Sequence, residues 1–586
     1  MKYLVLNENY FNNKRKKEIP FYDWYSNEDL TKLNKKLLKK LEKNIICKHH
    51  WDSKSKKIKD HKFLIKLTNK LLNEVTISIN KFHNLNYSHK YWKIILLPWL
   101  QQLTFLFYDR WEMINKIPKT NLIFCIYNYN RSIDFIPEQF GDLNAQNKDF
   151  NCWIVSKIVE YKKNIKFIKK NAPLIKKYKF KPNKKYKLLK IYELIFKMFS
   201  KIFNCNFFMH GMGFSKFETL YLNFKLSQFP FFWIDPVYEN KKVNIEKRKK
   251  YFYKKSNKKD FENFVKQMIY LTIPKDYLEN YNNIRNAIDK SYWPKKNKII
   301  LTAYSYKFNE IFKIWVAGMV EKGSKYLILQ HGGSMGLAAF NLEEDAQIDL
   351  SHKFLSWGWK DKVKKIIPFN AFVLSMRKKK FFNISAKKIF ICITLWNKFS
   401  IGLFSFPRTN LDRLRKINSI KCLIDNLNNN LSDKIVLRYV KKTEKRFLYK
   451  FQEEKFNKRI KYDRADLPFH KVTSKGKLFI HDSNSTGFLE TMFYNLPTIL
   501  ILDKKCDTFR KTNEKLIKLL ERKKIIHYDA NLAAKFINAN FNNIEKWWFN
   551  KDLQLIRKKF CLKFVKKTNN PVNELKNVLK KCLNEN

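Results

Sequence analysis

Between residues 30 and 115 the chain alternates lysine with leucine, isoleucine and phenylalanine at three- and four-residue intervals. That is the repeat of a helix with one buried face, so a helical N-terminal region is expected. Residues 121–127 form an apolar run that reads as a first strand, and residues 160–204 return to the helical period. Within that segment, residues 187–201 carry their charges at 187, 190, 193, 197 and 201, and nearly everything between is apolar. A helix with so narrow a polar stripe suits a membrane surface or a protein core, and the core is the expectation.

The period changes near residue 298. Strands are expected at 299–304 and 326–329, with a helix over 308–320 between them and a basic, irregular stretch at 360–385. A second series has strands at 388–395, 434–440, 477–481, 498–502 and 525–528, with helical patterns between several of them. Strands alternating with helices make parallel sheets covered on both faces. The predicted fold class is α/β, two Rossmann-type lobes facing a cleft and joined near 375–385. Residues 1–379 form the expected first lobe, including the helical region at 1–115, and 380–586 the second, with a helical tail from Asn531.

Composition narrows what such a protein does. Among 586 residues, 119 are basic and 52 acidic, a formal charge of +67. An excess of that size attracts nucleic acid or anionic membrane. The basic residues run along the whole chain, however, beside abundant asparagine, isoleucine and phenylalanine, as biased codon usage also produces. Compositional drift is the first reading, an anionic surface or substrate the second, nucleic acid the third. The nine cysteines include no Cys-x-x-Cys pair and several sit in apolar strand-like runs, as small buried hydrophobes of a reducing compartment do. The most apolar long stretch, 94–108, contains Pro98 and two glutamines. It is shorter than the ~20 residues of a membrane span. A cytoplasmic protein is expected, at most peripheral at the inner membrane.

Only 12 residues are glycine, and three of them fall in Gln330-His331-Gly332-Gly333-Ser334-Met335-Gly336. An apolar strand runs into this turn, which is where an α/β protein places chemistry. A neutral imidazole at His331 can take a proton from an attacking hydroxyl, or simply cap the turn. Gly332 and Gly333 allow backbone N–H groups close to a phosphate or sugar. Glu343, Glu344 and Asp345 form a rare acidic cluster just beyond, fit to orient His331, to bind acceptor hydroxyls or to sit in a solvated loop. His210, in Met209-His210-Gly211-Met212-Gly213, is a second histidine with a structural role as its first reading.

The other informative segment is Leu478-Phe479-Ile480-His481-Asp482-Ser483-Asn484-Ser485-Thr486-Gly487-Phe488-Leu489-Glu490, which ends at Asn495-Leu496-Pro497. A strand enters a cluster of hydroxyl residues and then a helix, whose free N–H groups bind phosphate. An ordinary serine-capped turn is the alternative. Arg438, closing another strand, offers a permanent fork-shaped cation that would neutralise a leaving diphosphate.

Glu490 followed seven residues later by Pro497 resembles the donor-nucleotide signature of GT-B glycosyltransferases. The resemblance implies that Glu490 holds ribose hydroxyls and that Ser483, Ser485, Thr486 and Gly487 lie at the donor. Asn495 stands where such enzymes usually have glycine and tolerates the same left-handed backbone. The Gln-His-Gly-Gly-x-x-Gly segment, with Trp357-Gly358-Trp359, is similar to a family of transferases encoded with O-antigen and surface-polysaccharide genes. Matching segments at Tyr91-Trp92, Pro98-Trp99-Leu100, Asp109-Arg110-Trp111 and Trp548 to Phe560 extend the likeness over nearly the whole chain.

These likenesses imply sugar transfer from a nucleotide-activated donor to a lipid-linked or surface-glycan acceptor, with His331 as base. Gln330, Gly332, Gly333 and Glu344 would contact phosphate or acceptor. The chain carries no strand-flanked Asp-x-Asp, no His-Glu-x-x-His and no P-loop, so neither a metal nor a cofactor is expected. One alternative is transfer of an alditol phosphate from a CDP-linked donor. Another, of a different class, is a basic nucleic-acid-binding protein; nucleic acid is not an expected partner.

Overall fold

A computed structural model describes residues 2–5, 18–20, 49–117, 122–129, 147–162, 164–171, 194–200, 202–203, 205–377, 381–394, 399, 402–403, 410–439 and 460–585. The helical expectation for 30–48, Cys47, and the charges at 187, 190, 193 and 201 lie outside these residues.

The expected N-terminal helices are Lys54–His83 and His89–Asn115. The first is capped by Ser53, whose hydroxyl accepts from Lys56 N, and stops at Asn84, which takes the left-handed conformation that ends helices. In the second, every residue from 94 to 108 is buried. A helix apolar on all sides belongs inside a protein, and this one packs against Lys54–His83, Lys148–Lys162 and the helix Glu310–Glu321. Pro98 is accommodated within it.

Among the described residues there are three sheets, all parallel. The first orders β1 (Lys2–Val5), β2 (Glu18–Pro20), β3 (Leu122–Asn128) and β4 (Phe167–Asn171) as β2-β1-β3-β4. Its β3 is the first strand expected at 121–127, but the other three were not expected, and β4 falls within the segment read as helix from 160 to 204. Lysines at two of its five positions hide the strand period, and pairing with β3 decides it. The second sheet runs β5 (Phe207–His210), β6 (Ile299–Thr302), β7 (Lys325–Leu329), β8 (Lys353–Ser356), β9 (Ile366–Pro368) in simple order.

The third sheet comprises β10 (Lys388–Cys392), β11 (Ile435–Arg438), β12 (Lys461–Asp463), β13 (Gly476–His481), β14 (Thr498–Ile501) and β15 (Ile526–His527). Its order is β12-β11-β10-β13-β14-β15, so the winding reverses between β10 and β13. A crevice opens at the carboxyl ends of strands where the order reverses.

The second and third sheets each carry a lobe, and the two lobes are in contact. Their lobes touch at the bridge between Ala338 and Phe509 and through Arg510, whose guanidinium pairs with Glu344 and, at 3.0 Å, with Asp361. The last helix, Pro571–Asn584, returns to the second sheet. Val572, Leu575 and Leu579 pack with Leu327, Leu355 and Phe372. Among the described residues, no helix is long and apolar enough to cross a membrane.

Candidate active site

The turn after β7 is locked from behind by Gln330, which is buried. Its carbonyl oxygen accepts from the Trp357 backbone N–H at 2.9 Å and the Trp359 indole at 2.8 Å, while its amide donates to Gly332 O at 2.8 Å. Gln330 therefore shapes the turn, and Trp357-Gly358-Trp359 is the partner it grips. Beyond it, the His331 ring lies 4.5 Å from the Tyr304 ring. His331 Nε2 is 3.5 Å from Glu343 Oε2, and Nδ1 is 3.5 Å from the Gln347 amide.

Glu343 and Glu344 point different ways because adjacent helical residues stand on different faces. The helix Leu342–Leu350 is capped by Asn341 and turns Glu343 toward His331 and Lys307, the latter at 2.8 Å. Burial opposes ionisation of Glu343, but Lys307 and His331 outweigh it and hold the carboxyl well below its ordinary range. Glu344 instead accepts from Gly336 N at 2.7 Å and pairs with Arg510 across the lobes. Burial pushes its carboxyl up to about 7. Asp345 meets His61 at 2.8 Å.

The turn after β13 sits at the switch between β10 and β13. Asp482 accepts from the Thr394 backbone at 3.1 Å and hydroxyl at 2.6 Å, and the Thr394 hydroxyl also bonds Ser483. Ser485 precedes the helix Thr486–Phe493 without capping it through its side chain. Asn484 is 1 % exposed, and neither its amide nitrogen nor its oxygen has a hydrogen-bond partner. A buried amide with both ends unpaired is costly unless something else fills the site.

The two turns meet. Gly333 N–H donates to Thr486 Oγ1 at 2.9 Å. A Cβ on Gly333 would stand 2.5 Å from the Ser485 carbonyl carbon and 2.6 Å from Thr486 N, so only glycine allows this approach. Gly333 was expected to offer its N–H to a phosphate; here it offers it to Thr486. Between the turns lies a cavity of about 300 Å³, lined by Tyr304, His331, Gly332, Gly333, Ser334, Met335, Asn341, Glu343, Ser483, Asn484, Ser485 and Thr486.

Other expected residues stand outside this lining. Gly487 packs against His481, where a Cβ would be 3.3 Å from the ring. Glu490 is buried one turn further along the helix, and its Oε1 has no hydrogen-bond partner. Burial pushes its carboxyl up to about 7, with Arg377 and Arg438 opposing. Arg377 stands 3.7 Å from Glu490 Oε1, and its charge opposes the rise that burial imposes on the Tyr304 hydroxyl. Arg438 does not point into the cavity. Asp463 and Leu467 O hold its guanidinium, and Phe469 lies 5.6 Å away. Asn495 takes φ +58° and accepts from Trp548 Nε1 at 2.9 Å.

His210 ends β5 at the same sheet edge, with Nδ1 2.7 Å from Ser305 Oγ and Nε2 3.4 Å from Asp235. Sequence reading missed Tyr304, Asn484 and Arg377. Asn484 lay inside the quoted motif, but nothing in its identity distinguished it from its hydroxyl neighbours.

Among the described residues, one trio has metal-ligand types: His49, His50 and Asp109, buried away from the cavity. Trp51 N–H donates to His49 Nδ1 at 3.1 Å, and His49 Nε2 lies 2.8 Å from Asp109 Oδ1. His50 Nε2 meets the same oxygen at 2.9 Å.

No protein with a curated description matches the sequence. Among solved structures, 51% of the chain is similar to 84% of the wall teichoic acid polymerase TagF, at 11% identity and a TM-score of 0.27. A further likeness, to a glycotransferase of kitacinnamycin, covers 52% of this chain and 79% of that one, at 9% identity and a TM-score of 0.28. The sequence profile of the LIC12162 family transferase matches residues 3–579, which take in all three sheets and both turns of the cavity, and the chain belongs to that family.

Proposed function

We propose that the protein transfers a sugar from a nucleotide-activated donor to a hydroxyl of a lipid-linked or surface-glycan precursor. Residues 1–379 then form the acceptor side and 380–586 the donor side. The observation that carries this reading is Asn484, an unpaired buried amide in a cavity shared by the histidine turn and the hydroxyl turn. A bound sugar hydroxyl would satisfy both ends of that amide, and a phosphate oxygen would satisfy its nitrogen.

In this mechanism the acceptor oxygen attacks the anomeric carbon as its proton passes to His331. The bond from that carbon to the donor phosphate oxygen breaks, and the electron pair leaves on the diphosphate. Glu343 stabilises the imidazolium that forms, and Lys307 keeps Glu343 ionised for that purpose. The leaving diphosphate meets the N-terminal N–H groups of the helix Thr486–Phe493, with the Ser483 and Ser485 hydroxyls and Asn484 beside it. Gly333 exchanges Thr486 for this ligand as the lobes part. Glu490 accepts from the ribose diol through the oxygen that is unpaired here, and Arg377 balances its charge.

The test is to incubate the protein with UDP-, GDP- and CMP-sugars and CDP-alditols, identify the donor consumed and assay the nucleotide released. Sugar transfer supports the proposal. Consumption of a CDP-alditol with release of CMP would move the reaction centre from carbon to phosphorus. Wild-type turnover retained by both His331→Ala and Glu490→Ala would overturn the site.

A further inference from the structure

The helical residues 194–200 were expected in the core, yet they and the helix Lys216–Lys225 each bury only one side. Phe196 packs against Phe229, Phe231 and Tyr292, and Leu222 is fully buried under the second sheet. The opposite sides are apolar too and face outward. Met198 is 70 % exposed, Ile202 72 %, Phe217 76 % and Phe224 77 %. Phe217, Leu220, Tyr221 and Phe224 are spaced at three and four, so they line a single face of their helix. Phe199 and Phe203 stack on Phe229 at 4.8 and 4.9 Å, beyond the end of the helix Lys216–Lys225. An exposed apolar face of this kind marks a binding surface.

We propose that this face docks on an anionic lipid bilayer, its phenylalanine and methionine side chains entering the headgroup boundary while Lys197, Lys216 and Lys225 meet lipid phosphates. All three lysines are exposed, and one acid, Glu218, lies among them. Apolar side chains flanked by lysine are the make-up of a helix lying in the membrane interface. A second copy of the chain fits worse. Isologous pairing sets the same lysines against each other, between molecules that each carry +67.

The location relates the face to the cavity. The helix Lys216–Lys225 begins shortly after the Gly211–Gly213 turn and His210, which ends β5 at the same sheet edge as the histidine turn. Docking there brings the cleft to the bilayer surface, where a lipid-linked acceptor resides. The acceptor part rests on the transferase reading; the lipid contact does not.

The test uses the full chain, without substrates, in flotation with phosphatidylcholine vesicles and with vesicles that also contain phosphatidylglycerol. Binding to the anionic vesicles is expected, and Met198→Glu with Phe224→Glu lowers it by more than about tenfold while the circular dichroism melting curve is kept. Lys216→Ala with Lys225→Ala lowers it about fivefold per lysine on anionic vesicles and leaves neutral vesicles unaffected. This pair still decides the matter if the glutamate variant fails to fold. Absence of wild-type binding, or full binding by the variants, overturns the proposal. So does a wild-type dimer in sedimentation that the glutamate variant loses. Nucleotide titration in vesicle-free solution tests the transferase reading separately.

Discussion

The turn after β7 and the turn after β13 occupy equivalent places at the carboxyl edges of their sheets, but they differ in what they leave unsatisfied. Gln330 uses both ends of its amide on Trp357, Trp359 and Gly332, so the histidine turn is complete without a ligand. Asn484 uses neither end, and Glu490 Oε1 accepts no hydrogen bond, with Arg377 3.7 Å away. Both are buried amides or carboxylates in the same protein, so burial alone does not separate them. The difference teaches that the first turn is preorganised around a base, whereas the second retains binding capacity for a ligand.

The largest effect expected is on chemistry. His331→Ala lowers kcat by about 10²–10⁴-fold while donor affinity, measured by calorimetry, stays within a few-fold. Equal loss of both would erase the division between the turns. Gly333→Val breaks the point where they touch, because its Cβ meets the Ser485–Thr486 peptide at 2.5 Å. A displacement of this kind costs about 10²-fold in turnover, and solution scattering would show the lobes further apart.

The comparison sharpens with one type of substitution at two sites. Gln330→Leu strands two buried donors and a carbonyl, and urea denaturation is expected to show a loss of about 2–4 kcal/mol. Asn484→Leu removes an amide that has no partners, so stability holds or rises by about 1 kcal/mol while donor binding weakens. Destabilisation of similar size at both sites would show that the second turn is satisfied after all.

The smallest effect is a pH dependence. Burial raises the Glu490 carboxyl from 4.5 to about 7, so it is neutral in the folded protein below that pH. Because the folded state holds the proton more tightly than the unfolded state, stability falls as pH rises from 4.5 toward 7 and levels off above. Glu344 contributes in the same direction, so donor affinity is the cleaner measure. That affinity is expected to improve by up to about tenfold from pH 6 to 8, as the carboxylate gains acceptors for a diol. Glu490→Gln flattens the profile.

Much of the fold could be read along the chain. The apolar run 94–108 was a buried helix, and the strands leading into both turns lie where their periods put them. Local pattern failed where pairing outvoted it. Phe167–Asn171 is a strand because β3 lies beside it, and β5, β8 and β9 are short runs that only their neighbours complete. The core expectation for the helical residues 194–200 failed for another reason. A narrow polar stripe says that much of a helix is apolar, not which part of it the protein covers.

By itself the sequence determined that a strand would enter a glycine turn with a histidine and another a hydroxyl turn with a helix, because these depend on neighbouring residues. It also determined the family. Tertiary structure alone decided that the two turns would share one cavity, through a hydrogen bond between residues 153 positions apart. It likewise decided that Glu343 rather than Glu344 would face His331, that Asp463 would occupy Arg438, and that Asn484 would stay unpaired. Hydrogen-bond partners arrive from distant parts of the chain, and a side chain's availability is settled only once they have arrived.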